Sequence, residues 1–355
     1  MSSVLFWDPV CQRPYDSRSM LHEAIGGSES SLVRVADALD AWVIQHNRTQ
    51  AEGRYLPPGR IAGITDVVVS RDPRALPLVR EMYPDARFHL WMHDQIRPGS
   101  TRGRRLAAMT ALLRDLSLRI VCVSDTQRRG VQATLERMGV GDCVQARTIY
   151  NPVDDALMPD GSPIDGNKLV FFSSPNKGLK FSLDAFRALR RQMPELRLVI
   201  GNPGYKDDAS SGIEGVTWLG PQPQARIHAE VRGALCTFCP NFVIPETFGL
   251  VFAESLALGT PVLTHDCGAA SEVIGDPGQV LPVTRWHRAY ERAFGKLSPR
   301  LRSGPARMAA QLGLFDPYIE RIRAWRSGAR PRTGPDPRFR IATVADQWRM
   351  LLSSS

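Results

Sequence analysis

Long apolar runs are missing from this sequence, and their absence argues against a chain that crosses a membrane. No stretch approaches the roughly 18 consecutive apolar residues that a transmembrane helix requires. The opening residues, SSVLFWDPV, also lack the basic start and the longer apolar block of a secretory signal. We therefore expect a cytoplasmic protein.

Cysteine is sparse, and its spacing gives little support to a metal or redox site. Only Cys236 and Cys239, among six cysteines, form a C-x-x-C pair. A zinc site would need a second pair of ligands at similar spacing, and a redox motif should open a helix. The pair instead ends a strand-like run at Cys239-Pro240. We expect buried free thiols and no metal.

Acidic residues are outnumbered, so the net charge is +9 and an anionic partner is expected, which could be phosphate, a membrane surface or nucleic acid. One basic cluster consists of Arg97, Arg102, Arg104 and Arg105, and it runs into an apolar helical segment. A basic edge beside an apolar helix face is typical of peripheral contact with an anionic membrane. An ordinary solvated face is the alternative.

A second basic cluster lies between Arg285 and Arg340, where arginines are mixed with Trp286, Trp325 and Trp348. Arginine and tryptophan together can bind nucleic acid, but no motif of a known recognition module accompanies them. We therefore expect no nucleic-acid partner.

The order of predicted elements indicates an α/β fold. Short β-branched runs such as DVVVS, RFHLWM and RIVCVS alternate with amphipathic helices, which predicts parallel sheets. Around IYNPVDDALMPDGSPIDGN the pattern stops, and it then restarts with KLVFF and LRLVI. With 355 residues, two domains are expected, over 1–153 and 154–335. We predict two doubly wound Rossmann-like domains that face a central cleft.

The last segment, 336–355, is predicted to be a helix that crosses back onto the first domain. It follows the irregular stretch PRTGPDPRFR, and its apolar residues fall on one helical face. These residues are Ile341, Val344, Trp348, Leu351 and Leu352.

The most informative stretch begins PETFGLVFAES. Glu246 falls on the loop before a predicted helix, and Phe248, Gly249 and Leu250 supply backbone amides at the start of that helix. A helix N-terminus attracts anions, and glycine allows a ligand to approach the backbone closely. Glu254 falls in the second turn, so the two carboxylates can reach different hydroxyl groups of one ligand.

In this stretch the sequence resembles the retaining glycosyltransferases of family 4, which have the GT-B fold. Their two glutamates are separated by seven residues, as in ETFGLVFAE here, and Gly259-Thr260-Pro261 and Gly268 follow in the family's order. A chance pair of glutamates beside a core helix is the alternative. The resemblance implies that Glu246 is catalytic and that Phe248, Gly249, Leu250 and Glu254 bind the sugar-nucleotide donor.

Three further segments match the family less specifically. The resemblance places Lys177 against the donor diphosphate, Gly26 and Gly27 at the donor, and His93 beside the transferred sugar. An arginine usual in the family is replaced by Phe172-Ser173-Ser174, so Lys180 or a distant arginine would have to substitute. The alternatives are a surface lysine, an ordinary glycine turn and a histidine bonded to its own loop.

The resemblance implies a retaining, metal-independent hexosyltransferase with a nucleotide diphosphate sugar as co-substrate. No Asp-x-Asp is present for a metal-dependent reaction. The acceptor is expected to be a glycan or lipid-linked glycan, in bacterial surface polysaccharide synthesis (lipopolysaccharide, O-antigen or exopolysaccharide) at the inner face of the membrane. A sugar-nucleotide epimerase and a catalytically silent scaffold are the alternatives.

Overall fold

The computed structural model describes residues 3–97, 99–202 and 212–353, and these residues form two compact units. The first unit contains Met1–Ser19, Gly27–Asp154 and Pro337–Ser355, and the second contains Met20–Gly26 and Asp155–Asp336. The predicted border at 153/154 lies within one residue of the observed one. The grouping of Met20–Gly26 with the second unit was not predicted, because a composition shift does not reveal so short an excursion.

The first unit holds a parallel sheet of seven strands among its described residues, in the order β3-β2-β1-β4-β5-β6-β7. The strands are β1 (Val4–Asp8), β2 (Trp42–Gln45), β3 (Tyr55–Leu56), β4 (Asp66–Ser70), β5 (Arg87–Met92), β6 (Arg119–Cys122) and β7 (Gln145–Thr148). All five residues of β4 are buried. A continuous β-branched strand of this kind needs cover on both faces of the sheet.

Helices connect these strands, and the C-terminal helix belongs to the same unit. They are α1 (Ser19–His22), which spans the border between the units, α2 (Gly27–Ala38), α3 (Leu76–Met82), α4 (Thr101–Ala107), α5 (Thr110–Asp115), α6 (Asp125–Arg137) and, at the chain end, α14 (Ile341–Ser353). Trp348 of α14 is fully buried, with its ring 5.7 Å from Phe6 and 5.1 Å from Trp91. Arg119 donates to the carbonyl of Leu351 at 3.0 Å, where a cation suits the end of a helix.

The second unit contains a parallel sheet of six described strands, in the order β10-β9-β8-β11-β12-β13. Its strands are β8 (Asp165–Phe171), β9 (Arg197–Asn202), β10 (Val216–Pro221), β11 (Ala234–Phe238), β12 (Val262–His265) and β13 (Val280–Leu281). Its helices are α7 (Leu179–Gln192), α8 (Gln224–Arg232), α9 (Leu250–Ala257), α10 (Ala270–Ile274), α11 (Arg285–Phe294), α12 (Ser303–Gln311) and α13 (Asp316–Ala324). Both units are doubly wound, as predicted.

Each sheet reverses its winding at one place, which positions the site discussed below. The order reverses between β1 and β4 in the first unit and between β8 and β11 in the second. In doubly wound sheets the loops beyond the carboxyl ends of the two strands at the reversal diverge and leave room for a ligand. The loops after β8 and β11 are therefore the first place to examine in the second unit.

The apolar face of the segment after Arg97 is not available to a membrane, contrary to the prediction. This segment forms the two short helices α4 and α5, and Leu106 and Leu113 are buried in the core of the first unit. Apolar periodicity predicts a face that must be covered, but the same pattern fits a protein core and a bilayer. Here the core covers it. Among the described residues, no helix is long and apolar enough to span a membrane.

Candidate functional site

Lys177 and Glu246 meet where the winding of the second sheet reverses. Lys177 lies on the loop after β8, and Glu246 lies on the loop after the neighbouring strand β11. The Lys177 Nζ and Glu246 Oε2 atoms are 2.6 Å apart. The Glu246 side chain is 1% exposed, whereas that of Lys177 is 32% exposed. A buried carboxylate is therefore paired with an amine that solvent or a ligand can reach.

The backbone of Glu246 is held by the segment after β12. Its amide donates to the carbonyl of Cys267 at 3.1 Å, and its carbonyl accepts from the amide of Ala269 at 2.9 Å. Between them, Gly268 has φ +77°, and a Cβ atom built there would lie 2.2 Å from the Glu246 carbonyl oxygen. Only glycine fits both the left-handed backbone and this close approach. The Gly268 noted in the sequence therefore clamps Glu246.

The Glu246 carboxylate is also contacted from its own loop. The Asn241 amide nitrogen lies 3.5 Å from Glu246 Oε1 and donates to the carbonyl of Ile244 at 2.7 Å. The Asn241 side chain also accepts from the amides of Val243 and Ile244. Asn241 thus orders the turn that leads from β11 to Glu246. The prediction did not include it.

The Lys177 loop touches the Glu246 loop backbone to backbone. Gly178 has φ +87° and lies close to the backbone of the Glu246 loop. A Cβ atom built on Gly178 would be 2.4 Å from the carbonyl oxygen of Pro240. The Lys177 amide donates to the carbonyl of Ser174 at 2.8 Å, which closes the turn. The Cys239 Sγ atom lies 3.9 Å from the Lys177 carbonyl oxygen. Burial raises the pKa of this thiol, so Cys239 stays protonated and packs between the two loops. These contacts fix the amine in front of Glu246.

Helix α9 begins at Leu250, shortly after the loop that carries Glu246, as predicted. Its cap residue, Gly249, has φ +93°, and no side chain caps the helix. Phe248 is buried with 1% exposure and anchors the turn before it. The amides that follow, from Leu250 onward, open the helix, and such an N-terminus favours a phosphate.

Glu254 lies in the second turn of α9, also as predicted. It is 5% exposed, and its Oε2 atom is 3.9 Å from Nε2 of His228 on α8. Glu246, the start of α9 and Glu254 therefore follow one another along the chain of the second unit. His228 was not predicted, because nothing in the loop LGPQPQARIH distinguishes it from a surface histidine.

Lys180, one possible substitute for the missing family arginine, is hydrogen-bonded elsewhere in the second unit. The Lys180 amine donates to the carbonyl of Gly295 at 3.4 Å, just after α11. Ser173, which replaces that arginine, is 5% exposed. Lys177 is thus a cation that the structure places in contact with Glu246.

His93 lies in the first unit, directly after β5. Burial, reinforced by the charge of Arg71, lowers the pKa of His93 to about 3, so the ring is neutral near pH 7. Its ring lies 4.5 Å from that of Trp91. A neutral imidazole at the carboxyl end of a strand can donate to or accept from a hydroxyl group.

Arg71 is the residue of the first unit that the sequence did not reveal. It follows β4 and has φ +64°, an unusual backbone conformation for a side chain of this size. Its Nε atom donates to Asp94 Oδ2 at 3.1 Å, and its guanidinium lies 4.0 Å from Glu29 Oε1. A strained residue that joins two carboxylates near His93 is a candidate site residue.

Gly27 is the first residue of α2. Its carbonyl accepts from the hydroxyls of Ser30 and Ser31, at 3.1 and 2.7 Å. Gly26 precedes the helix and groups with the second unit, so the border between the units falls within the glycine pair. The predicted donor contacts of both glycines stay predictions.

The predicted basic cluster is partly neutralised within the first unit. Arg102 lies 2.8 Å from Asp94 Oδ2, and Arg105 lies 3.6 Å from Asp72 Oδ2. Arg97 and Arg104 are exposed. With half of its charges paired and its apolar helix buried, this cluster does not have the form of a membrane-binding face.

Part of the second unit matches a known protein family. Residues 161–292 match the family described as Glycosyl transferases group 1, which confirms the predicted family resemblance. A phosphatidyl-myo-inositol mannosyltransferase of Mycolicibacterium smegmatis is 29% identical over 201 residues, covering 52% of this chain and 50% of the relative. A D-inositol 3-phosphate glycosyltransferase of Nocardia farcinica is 44% identical over 69 residues, covering 19% of this chain and 15% of the relative. The chain thus spans at most about half the length of these curated relatives.

Solved structures resemble the whole chain in fold. Alr3699/HepE of Anabaena, crystallised with UDP, is similar with a TM-score of 0.63 and 17% identity, covering 99% of this chain and 100% of the other. Sucrose-phosphate synthase of Thermosynechococcus elongatus is similar with a TM-score of 0.62 and 16% identity, with the same coverage. At such identities the likeness shows the fold alone, and it confirms the predicted GT-B class.

Proposed function

We propose that this chain, whose residues 161–292 belong to the glycosyl transferases group 1 family, moves a sugar from a nucleotide diphosphate donor onto a hydroxyl group of an acceptor. The observation that carries this proposal is the pair formed by Lys177 and Glu246 at the reversal of the second sheet. There a partly exposed cation contacts a buried carboxylate, and helix α9 begins at Leu250, shortly after that carboxylate in the chain. This set of groups suits a ligand with both phosphate and hydroxyl groups.

Lys177 and the first amides of α9 stabilise the departing diphosphate. An ammonium group has three donors, so the Lys177 amine can keep its bond to Glu246 while it contacts a phosphate oxygen. Fixed donors at the place where negative charge develops are a large source of catalysis. The proposed departure step therefore needs no metal ion.

Glu246 orients the donor sugar rather than acting as the base. Its Oε2 atom accepts from Lys177, and a carboxylate can accept several hydrogen bonds at once, including those of sugar hydroxyls. In the proposed reaction the bond between the anomeric carbon and the phosphate oxygen breaks, the acceptor oxygen bonds to that carbon, and the leaving phosphate takes the acceptor proton. Attack from the side of the leaving group retains the anomeric configuration, as the family resemblance implies.

The acceptor binds, in this proposal, to the first unit near His93 and Arg71. The carboxylates of Glu29 and Asp94 and the guanidinium of Arg71 form an array with donors and acceptors of both charges. Such an array suits hydroxyl groups of a sugar or cyclitol. The printed names of the relatives are consistent with this choice, because they act on inositol-containing molecules. A lipid-linked acceptor at the inner membrane face, in surface polysaccharide synthesis, is part of the proposal.

Two substitutions at Arg71 separate its backbone strain from its charge. Alanine and glycine both remove the guanidinium, but only glycine removes the cost of the positive φ. We expect Arg71→Gly to be about 1 kcal/mol more stable than Arg71→Ala, which corresponds to roughly 2–4 °C in Tm. Both should raise the acceptor KM about tenfold, a loss of about 1.4 kcal/mol. Equal Tm values, or an unchanged acceptor KM, would contradict the role given to Arg71.

The proposal is tested by following both products of the transfer. Purified chain is incubated with UDP- and GDP-sugars, with myo-inositol or with phosphatidylinositol in mixed micelles, and free nucleoside diphosphate and glycosylated acceptor are quantified. A transferase forms the two products in equal amounts. An epimerase would instead give an isomeric sugar or sugar nucleotide without any acceptor, and a silent scaffold would release no nucleotide.

A further inference from the structure

Helix α11 of the second unit carries a basic stripe that the proposed reaction does not use. Arg285, Arg288, Arg292 and Lys296, just after the helix end, are all exposed. Spacings of three and four residues place these cations along one side of the helix. Glu291, the acidic residue of this helix, is half-buried, so positive charge predominates on the exposed face.

The orientation of this helix is fixed by its inner face. His287 and Tyr290 are buried, and the Tyr290 hydroxyl donates to Asp184 Oδ2 at 3.0 Å. Thr284 caps the first turn and bonds to the His287 side chain. Since the inner residues are held in this way, the cationic side chains face solvent.

Large apolar side chains accompany the stripe. Trp286 is 60% exposed, and the guanidinium of Arg285 stacks on its ring at 5.0 Å from the centroid. Leu301 is 66% exposed and is next in the chain to Arg302, whose guanidinium donates to the carbonyl of Phe294 near the end of α11. Exposed apolar residues thus occur near both ends of the helix.

None of the four cations forms an ion pair with a carboxylate in the described part of the chain. This distinguishes the stripe from the cluster at Arg97–Arg105, where Arg102 and Arg105 have acidic partners. Because the described residues supply no acidic partner to these cations, the charge of the stripe is available to an external polyanion.

We propose that the exposed face of α11 docks the second unit onto an anionic lipid bilayer. Basic residues along a helix with a tryptophan at its side are suited to the membrane interface, where arginines contact lipid phosphates and the indole ring enters the headgroup region. The choice of a bilayer over other polyanions rests on the proposed lipid-linked acceptor. Docking would hold the enzyme at the surface that carries this acceptor.

Co-sedimentation with vesicles tests the docking surface without any sugar nucleotide. The full chain is mixed with vesicles of phosphatidylcholine alone or with 30% phosphatidylglycerol, a composition of about one anionic lipid in three. We expect binding to the anionic vesicles only, weakening as salt is added. The double variant Arg288→Glu/Arg292→Glu should bind at least roughly thirtyfold more weakly.

A matched charge reversal at the other basic cluster is the control. Arg97→Glu/Arg104→Glu changes the net charge equally at two exposed positions and should retain the binding of the wild type. Because the double variant of α11 could lose helix stability, Trp286→Ala is measured too, and we expect it to weaken binding several-fold while its circular dichroism spectrum stays unchanged.

Three outcomes would overturn the proposal. The first is an equal loss of vesicle binding in the two double variants, and the second is equal binding of the wild type to neutral and anionic vesicles. The third is that the wild type binds a duplex oligonucleotide but no vesicles. Transfer activity is assayed separately with a water-soluble acceptor. Vesicle binding and transfer activity can therefore fail independently, so a wrong docking surface is distinguished from a wrong proposed function.

Discussion

Replacing Glu246 with glutamine should lower kcat at least about 100-fold while leaving the protein folded. Glutamine has nearly the same shape, but it loses the negative charge that holds the Lys177 amine 2.6 Å away. The Lys177 amine would then be misplaced, and the neutral amide at position 246 would accept hydrogen bonds from sugar hydroxyls more weakly than the carboxylate does. The measurement is the initial rate of nucleoside diphosphate release at saturating donor and acceptor.

Glu230→Gln provides the matched control for this change. Glu230 lies on α8 in the same unit, and its carboxylate also pairs with a lysine, Lys168, at 3.1 Å. We expect this variant to retain the wild-type rate within about a factor of two, because an ion pair near the surface adds little stability. Equal losses in Glu246→Gln and Glu230→Gln would show that Glu246 has no special part in the reaction.

Gly268→Ala should affect both stability and activity. A Cβ atom at this position would approach the Glu246 carbonyl oxygen to 2.2 Å, so the loop that carries Glu246 must move. The left-handed backbone costs alanine about 1–2 kcal/mol, and the clash adds roughly 1–3 kcal/mol. Since a displacement of about 1 Å can reduce a rate about 100-fold, we expect kcat to fall by that factor or more.

Gly275→Ala separates the clash from the backbone cost. Gly275 has φ +72°, close to that of Gly268, but a Cβ atom there would meet nothing within 4 Å. This variant should lose only the backbone contribution of about 1–2 kcal/mol and retain its activity. If the two variants had the same Tm and the same kcat, the contact between Gly268 and Glu246 would have no functional role.

Much of the fold follows from local patterns in the sequence. Buried parallel strands are continuous β-branched runs, as in DVVVS and RFHLWM, and helices separate them, so alternation alone indicates doubly wound sheets. The start of α9 was also predictable, because Gly249 follows Glu246-Thr247-Phe248 as a helix cap. Such features depend on residues close together in the chain.

The features that were missed depend on contacts between distant residues. The pairs of Arg102 with Asp94 and of Arg105 with Asp72 form only when α4 packs beside the ends of β4 and β5. The apolar periodicity after Arg97 predicts that one helical face is covered, but it does not show whether the protein core or a bilayer covers that face. The left-handed backbone of Arg71 has no local sign in Ser70-Arg71-Asp72, since side chains of this kind seldom adopt it.

The contact between Lys177 and Glu246 was partly predictable from the sequence. The residues are 69 positions apart, and no periodicity joins them. The family resemblance implied a role for each of them separately. Their contact follows from the order of the second sheet, in which β8 and β11 are neighbours at the reversal.

The central claim, that the second unit binds a sugar-nucleotide donor, is tested most directly by thermal shift. Wild type and Glu254→Ala are heated with UDP, GDP, ADP and TDP and with their common sugar conjugates. A ligand at about 100 times its Kd stabilises the folded state by about 2.7 kcal/mol. The account predicts that one nucleotide raises the Tm of the wild type by several degrees and that Glu254→Ala loses most of this rise. If no nucleotide raised the Tm of the wild type, or if both proteins responded equally, the assignment of this donor site would be contradicted.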